Sequence, residues 1–366
     1  TTIRTISNYE MDTVVDPVDV GTNINFISKA SSFTRVFSMA TRGQQDNPLV
    51  LDISKIVNEY IPSNVDTLIA SPQNQLIAMS SQSSNKIYLY SFYNNGEKNL
   101  LESWYSWQMP GTVQTCALDQ DDMYVITKQA NQVTLGKATL TQSPDTAIIV
   151  NSNGSRVNPS VDLYATASSV VYDSANDQSK CYLPYNDVSG LKPVLLIAGS
   201  TAQGSFVESG FNITPERGTD GTGDYFVVSQ KDLTSQASDV IVGFRYDFDV
   251  ELPTTFYSRS PDGKSVDFSA RLTIARYIFS LGLSGLMSFK VKAQGSAEWY
   301  ELQPVANANY YLANDIPLVD EQYVTLPIHQ TNKNFTLRLF NDSPFPVSVG
   351  SMMWEGNYSP RYYRRT

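Results

Sequence analysis

Residues 65–109 read VDTLIASPQNQLIAMSSQSSNKIYLYSFYNNGEKNLLESWYSWQM, and this stretch decides the fold class. Four short runs, VDTLIAS, QLIAMSS, KIYLYSF and ESWYSWQM, are rich in apolar, β-branched and aromatic residues, and SPQN, SQSSN and YNNGEKN break them with turn formers. Four short antiparallel strands in sequence make one β-propeller blade. TVQTCALD, DMYVITK and VTLGKATL, separated by Asp119–Asp122 and Ala130–Gln132, supply most of a second blade. No third copy is visible. Residues 26–39 add apolar patches, and LDISKIVNEY, opening at about Asp52, fits a short helix that stops before Pro62.

Outward from there the strand signal continues. TQSPDT and NSNGSRVNPS, around residues 141–160, are polar and rich in turn formers, which predicts a domain boundary. VDLYATASSVVYD, KCYLPY, PVLLIAG, SFVESGFNI and DYFVVSQ then read as a small β-sandwich or barrel. From residue 240 the alternation sharpens: in FRYDFDVEL, Tyr246, Phe248, Val250 and Leu252 share one face, and Arg245, Asp247, Asp249 and Glu251 the other. Residues 271–292 also fit a helical stripe through Leu272, Ala275, Ile278 and Phe279, but read better as strands broken near Gly282–Gly285. YVTLPIHQ, FTLRLF and VSVGSMMW add three strands before a basic-aromatic tail. The expected fold is all-β, with propeller-like blades over 1–145, a small sandwich over 146–239 and a sandwich with its tail over 240–366.

Composition agrees. The 22 Tyr and 16 Phe favour strands, and with only 17% charged residues among 366 the surface must rely on Ser, Thr, Asn and Gln, as in assembly-forming proteins. A net charge of −10 argues against long-lived binding of nucleic acid along a basic face, while an acidic wall still lets DNA slide past. Cys116 and Cys181 form no CxxC pair, which argues against a thiolate zinc site. No window approaches ~18 uninterrupted apolar residues, so no membrane anchor is expected.

Candidate chemistry is thin. The single histidine, His329, removes most hydrolytic triads and proton shuttles from consideration. Asp247, Asp249 and Glu251 have strand spacing close to that of glycosidase carboxylate pairs, but a solvated charged face has the same spacing. Lys264 and Ser265 supply the end of a phosphate-binding loop, yet its leading glycine is replaced by Ser258. Gly218, Gly221 and Gly223 stand in the wrong order for a dinucleotide motif and read as a turn. Asp119, Asp121 and Asp122 lack the pattern of a calcium loop. No catalytic residue, metal or cofactor is therefore expected. In the tail NYSPRYYRRT, Tyr358, Tyr362 and Tyr363 interleave with Arg361, Arg364 and Arg365, a composition suited to stacking on bases or, better in an acidic chain, to a protein–protein contact.

Three stretches together resemble the tail tubular protein B family, the nozzle proteins of short-tailed podovirus-type phages. The first carries Tyr60, Pro62, Gly96, Glu97, Trp104 and Trp107; the second ends in Leu183, Pro184 and Tyr185; the third holds Asn341-Asp342-Ser343-Pro344 and Trp354-Glu355-Gly356-x-Tyr358. Family members are longer, and the resemblance is to their C-terminal half. It implies a homohexameric tube of the phage tail beneath the adaptor (tail tubular protein A), with tail fibres docked nearby and double-stranded DNA passing through transiently. Catalysis is not part of that picture. One or both of Trp104 and Trp107 are expected to pack in a blade core, and Trp354, Tyr358 and the arginine-tyrosine tail to lie at an interface. The competing reading is a carbohydrate-binding or polysaccharide-cleaving phage β-protein, for which the 11% aromatic content and the carboxylates of 247–251 speak.

Overall fold

The computed structural model describes residues 8–360 apart from 30–31, 41–48, 58, 95–98, 141–146, 151–155, 199–208, 259–264, 286 and 303–320. It divides the chain into two units, Thr1–Gln142 and Ser143–Thr366. As its composition predicts, the fold is all-β; among the described residues helical turns are confined to Lys55–Val57 and Thr234–Asp239.

The first unit consists of three consecutive antiparallel meanders among the described residues. They are β1 (Val18–Val20), β2 (Asn23–Ser28), β3 (Arg35–Ala40) and β4 (Leu49–Asp52); β5 (Thr67–Ser71), β6 (Leu76–Ser80), β7 (Lys86–Asn94) and β8 (Asn99–Gln108); and β9 (Thr112–Asp119), β10 (Asp122–Gln129) and β11 (Gln132–Thr139). The middle sheet is buried on both faces, which explains why β6 is an unbroken apolar run instead of an alternating one. Ile77 and Met79 enter a core with Ile27 and Val36 of the first sheet, while Leu76 and Ala78 enter a second core with Val113, Cys116, Met123 and Val125 of the third.

Two expectations fail here. The first meander is the copy that the sequence hid, because its strands are short and mix Asn, Ser and Asp with their apolar residues. The helix expected from Asp52 is instead a strand end and one 3-10 turn. Its cause is local hydrogen bonding: the Asp52 carboxylate accepts from the Ser54 amide at 3.0 Å and its hydroxyl at 2.8 Å, and Ser54 Oγ in turn accepts from the Val36 amide at 3.0 Å. Side chains that capture backbone amides in this way compete with helix.

In the second unit, β12 (Ile149–Val150) and β13 (Arg156–Val157) pair as a short hairpin. β14 (Val161–Thr166), β15 (Ser169–Asp173), β16 (Gln178–Tyr182), β17 (Lys192–Ile197), β18 (Asn212–Ile213), β19 (Glu216–Thr219), β20 (Asp224–Ser229) and β21 (Val240–Arg245) build a sandwich. Its sheets run β14-β21-β17-β18 and β15-β16-β20-β19 and close over Cys181, Leu195, Phe226, Val242 and Phe244. β21 thus completes this sandwich, which extends past the seam placed at 239. β22 (Phe248–Glu251), β23 (Arg271–Leu281), β24 (Ser288–Ala293), β25 (Tyr300–Leu302), β26 (Gln322–Thr331), β27 (Phe335–Asn341) and β28 (Val349–Ser359) build a second sandwich. Its sheets run β22-β27-β24-β25 and β26-β23-β28 over Ile274, Phe279, Phe289, Leu326 and Leu337. Of the apolar face read in 246–252, Phe248 and Leu252 pack against this core, whereas Tyr246 and Val250 stay exposed.

Candidate functional site

Three of the sequence motifs, around Trp104, Tyr185 and Asn341, prove to be joints of the fold. Trp104 and Trp107 are three residues apart on β8, so they leave opposite faces of the strand. Trp104 packs against the first inter-sheet core, with its ring 4.8 Å from that of Tyr90 and its indole donating to the Ile53 carbonyl at 3.2 Å. Trp107 packs against the second core. The pair therefore ties the middle sheet to both neighbours. Tyr60 and Pro62 act at the same seam: the Tyr60 hydroxyl donates to Ser106 at 2.8 Å, and the Thr34 hydroxyl to the Pro62 carbonyl at 2.7 Å. Gly96 and Glu97 lie outside the described residues.

Tyr185 of the Leu-Pro-Tyr motif donates to the Leu163 carbonyl at 2.6 Å. Leu163 sits in the left-handed region (φ 50°), where the register of β14 slips against β21. At that bulge β14 lies so close to Gly243 that a Cβ there would collide with Val161 and the Asp162 carbonyl. Burial pushes the Tyr185 phenol up.

Asn341-Asp342-Ser343-Pro344 builds the joint between the two sandwiches. The buried Asn341 side chain accepts from the Ser343 amide at 2.8 Å and donates to the Phe345 carbonyl at 2.9 Å. This turn delivers the Pro344 carbonyl to the Ser160 amide at 2.7 Å and drives Phe345, 2% exposed, into a cluster with Ile149, Val161, Val194 and Ile241. Beside the joint lies a crevice of about 130 Å³ lined by Ser160, Tyr246, Phe248, Asn341, Ser343 and Phe345. Desolvation raises the Tyr246 phenol, and the nearby Asp162 carboxylate adds to the rise; Asp162 itself is pushed up to about 6 by burial.

In Trp354-Glu355-Gly356-x-Tyr358, Trp354 and Tyr358 pack against the C-terminal core, and Glu355 pairs with Arg276 at 2.6 Å. Gly356 faces the point where β23 bulges, and a Cβ there would meet the Thr273 carbonyl. The Tyr358 hydroxyl donates to Asp267 at 2.8 Å, and its ring lies 4.3 Å from that of Tyr257. Tyr358 therefore belongs to β28 and does not extend into a loose tail as the sequence reading had it. Arg361, Tyr362, Tyr363, Arg364 and Arg365 lie outside the described residues.

The residues weighed for chemistry are engaged in simpler ways. Asp249 and Glu251 share Arg338 at 3.1 and 3.4 Å, and Asp247 pairs with Lys192 at 2.7 Å. Hydrogen bonds from Lys137 and Thr139 lower the Asp122 carboxyl. Asp220 turns the Gly218–Gly223 hairpin, accepting from the Thr222 amide at 2.8 Å. The segment at Lys264 lies outside the described residues, flanked by a bridge between Ser258 and Val266. His329 is exposed at a strand bulge. Cys116 and Cys181 are free and buried, and desolvation pushes the Cys181 thiol up to about 12.

The geometry is therefore one of joints and exposed edges. A family model described as bacteriophage nozzle protein matches residues 1–365. No curated protein matches the chain. A solved structure titled "Glycoside hydrolase" is 8% identical, with 93% of this chain and 83% of that chain covered, but its TM-score of 0.20 carries no argument for fold or activity.

Proposed function

Because the chain belongs to the bacteriophage nozzle protein family, a structural component of the phage tail, we propose that it forms the nozzle tube through which the genome of a short-tailed phage leaves the virion. In this reading it is of the tail tubular protein B type and corresponds to the C-terminal half of longer members. Copies close into a homohexamer that docks to the adaptor, tail tubular protein A, and to tail fibres. The stacked meanders of the first unit act as propeller blades, and the rigid joints of both units hold the wall in shape.

The observation that supports this most is the family match over nearly the whole chain. The net charge of −10 fits it physically, since a wall rich in Asp and Glu repels phosphate and lets DNA slide without sticking. Gold-labelled antibody fragments raised against the chain test the reading on purified virions. The expected result is label on the tail and slowed DNA release. Label confined to the capsid, or unaltered release from fully labelled tails, contradicts it.

A further inference from the structure

Among the described residues the third sheet of the first unit has one strand fewer than its two neighbours. β3 and β7 each hold third place in a meander, and each is covered on its outer edge by a fourth strand, β4 and β8. β11 holds the same place, but from Val133 to Thr139 its register partners all lie on β10, and the next strand of the chain, β12, belongs to the second unit. Val133 and Leu135 are nonetheless apolar and 62% and 65% exposed on one face of this open edge. An open strand edge beside exposed apolar side chains is a template for another strand.

A second open edge lies in the C-terminal sandwich. Its sheet β26-β23-β28 has two outer strands, and β26 is guarded by Pro327, which has no N–H, and by the bulge at His329. β28 is less guarded: its bulge lies at its start, where Gly350 is the extra residue. From Ser351 to Asn357 it contains neither Pro nor Lys, its partners all lie on β23, and Met353 is 59% exposed.

We propose that β28 of one copy pairs with β11 of a second copy and supplies a fourth strand. The occupant is another copy of this chain because the chain itself leaves open both halves of the contact, one on each unit. A parallel register that sets Met353 beside Leu135 also sets the Arg276–Glu355 pair beside the Lys137–Asp122 pair, so that opposite charges meet. Two different surfaces meet, so the contact is head-to-tail and closes into a ring where the rotation allows. This inference rests on the nozzle reading and names its copy-to-copy contact.

The test places Leu135→Cys and Met353→Cys in one full-length chain; both positions are exposed, and the natural cysteines are buried. With a short bis-maleimide, the double variant is expected to give a ladder of covalently joined copies on a denaturing gel, and neither single variant should. Rings seen by electron microscopy that yield no ladder overturn the pairing and leave the nozzle reading standing. Bridging confined to single chains also overturns it. A chain that never assembles overturns both.

Discussion

The two units solve the same problem differently. In the first, sheets stack and share apolar layers, so β6 is buried on both faces and one strand, β8, sends a tryptophan into each of two cores. In the second, each sandwich closes its own core, and the two are joined by a local contact centred on Phe345, Asn341 and Ser160. Cohesion in the first unit is therefore distributed, while in the second it is concentrated at a joint. This difference decides where single substitutions should hurt.

The largest effect is expected at the joint. Phe345→Ala removes a ring buried to 2% and should cost about 3–5 kcal/mol, read as a lower denaturation midpoint. A loss as small as that of a surface change would show that the two sandwiches are held together elsewhere. Next come Trp104→Ala and Trp107→Ala, each half-buried, at about 2–4 kcal/mol. Because they serve separate cores, their costs should add in the double variant; strong non-additivity would mean that the two layers behave as one.

Asp162→Asn should act in the opposite direction. The folded carboxyl titrates near 6, above its unfolded value, so its favourable contribution is present below about pH 4 and is lost as pH rises through 6. Asparagine escapes that loss, so the variant should be stabilised by about 3 kcal/mol at pH 8 and by under about 1 kcal/mol at pH 4. Equal melting shifts at both pH values would remove Asp162 as a weak point beside the joint. The smallest effect is expected for Arg338→Ala, whose partners Asp249 and Glu251 are exposed, at under about 1 kcal/mol. A large loss there would reveal a structural role for that carboxylate strand.

The sequence carried much of this contrast in its local patterns. LIAM in β6 is a continuous apolar run because both faces are covered, and ARYIFSL in β23 alternates because only one is. Pairings between distant strands left no such mark. β21 reads as the start of the C-terminal unit, yet it pairs with β14 and β17. The joint was visible only as residue types: Asn341 before Pro344 signals a turn, and Gly356 inside a strand signals a close approach of backbone. Asn341 meets the Phe345 carbonyl only four residues on, whereas the Thr273 carbonyl that Gly356 meets, and the cluster that Phe345 enters, lie on strands far away in the chain.

The central claim, that copies of this chain build the wall of a tail tube, is tested most directly by electron microscopy of the purified protein with classification of the particles. The account predicts six-fold rings with a central hole. A uniform field of single compact particles of 40.6 kDa would contradict it.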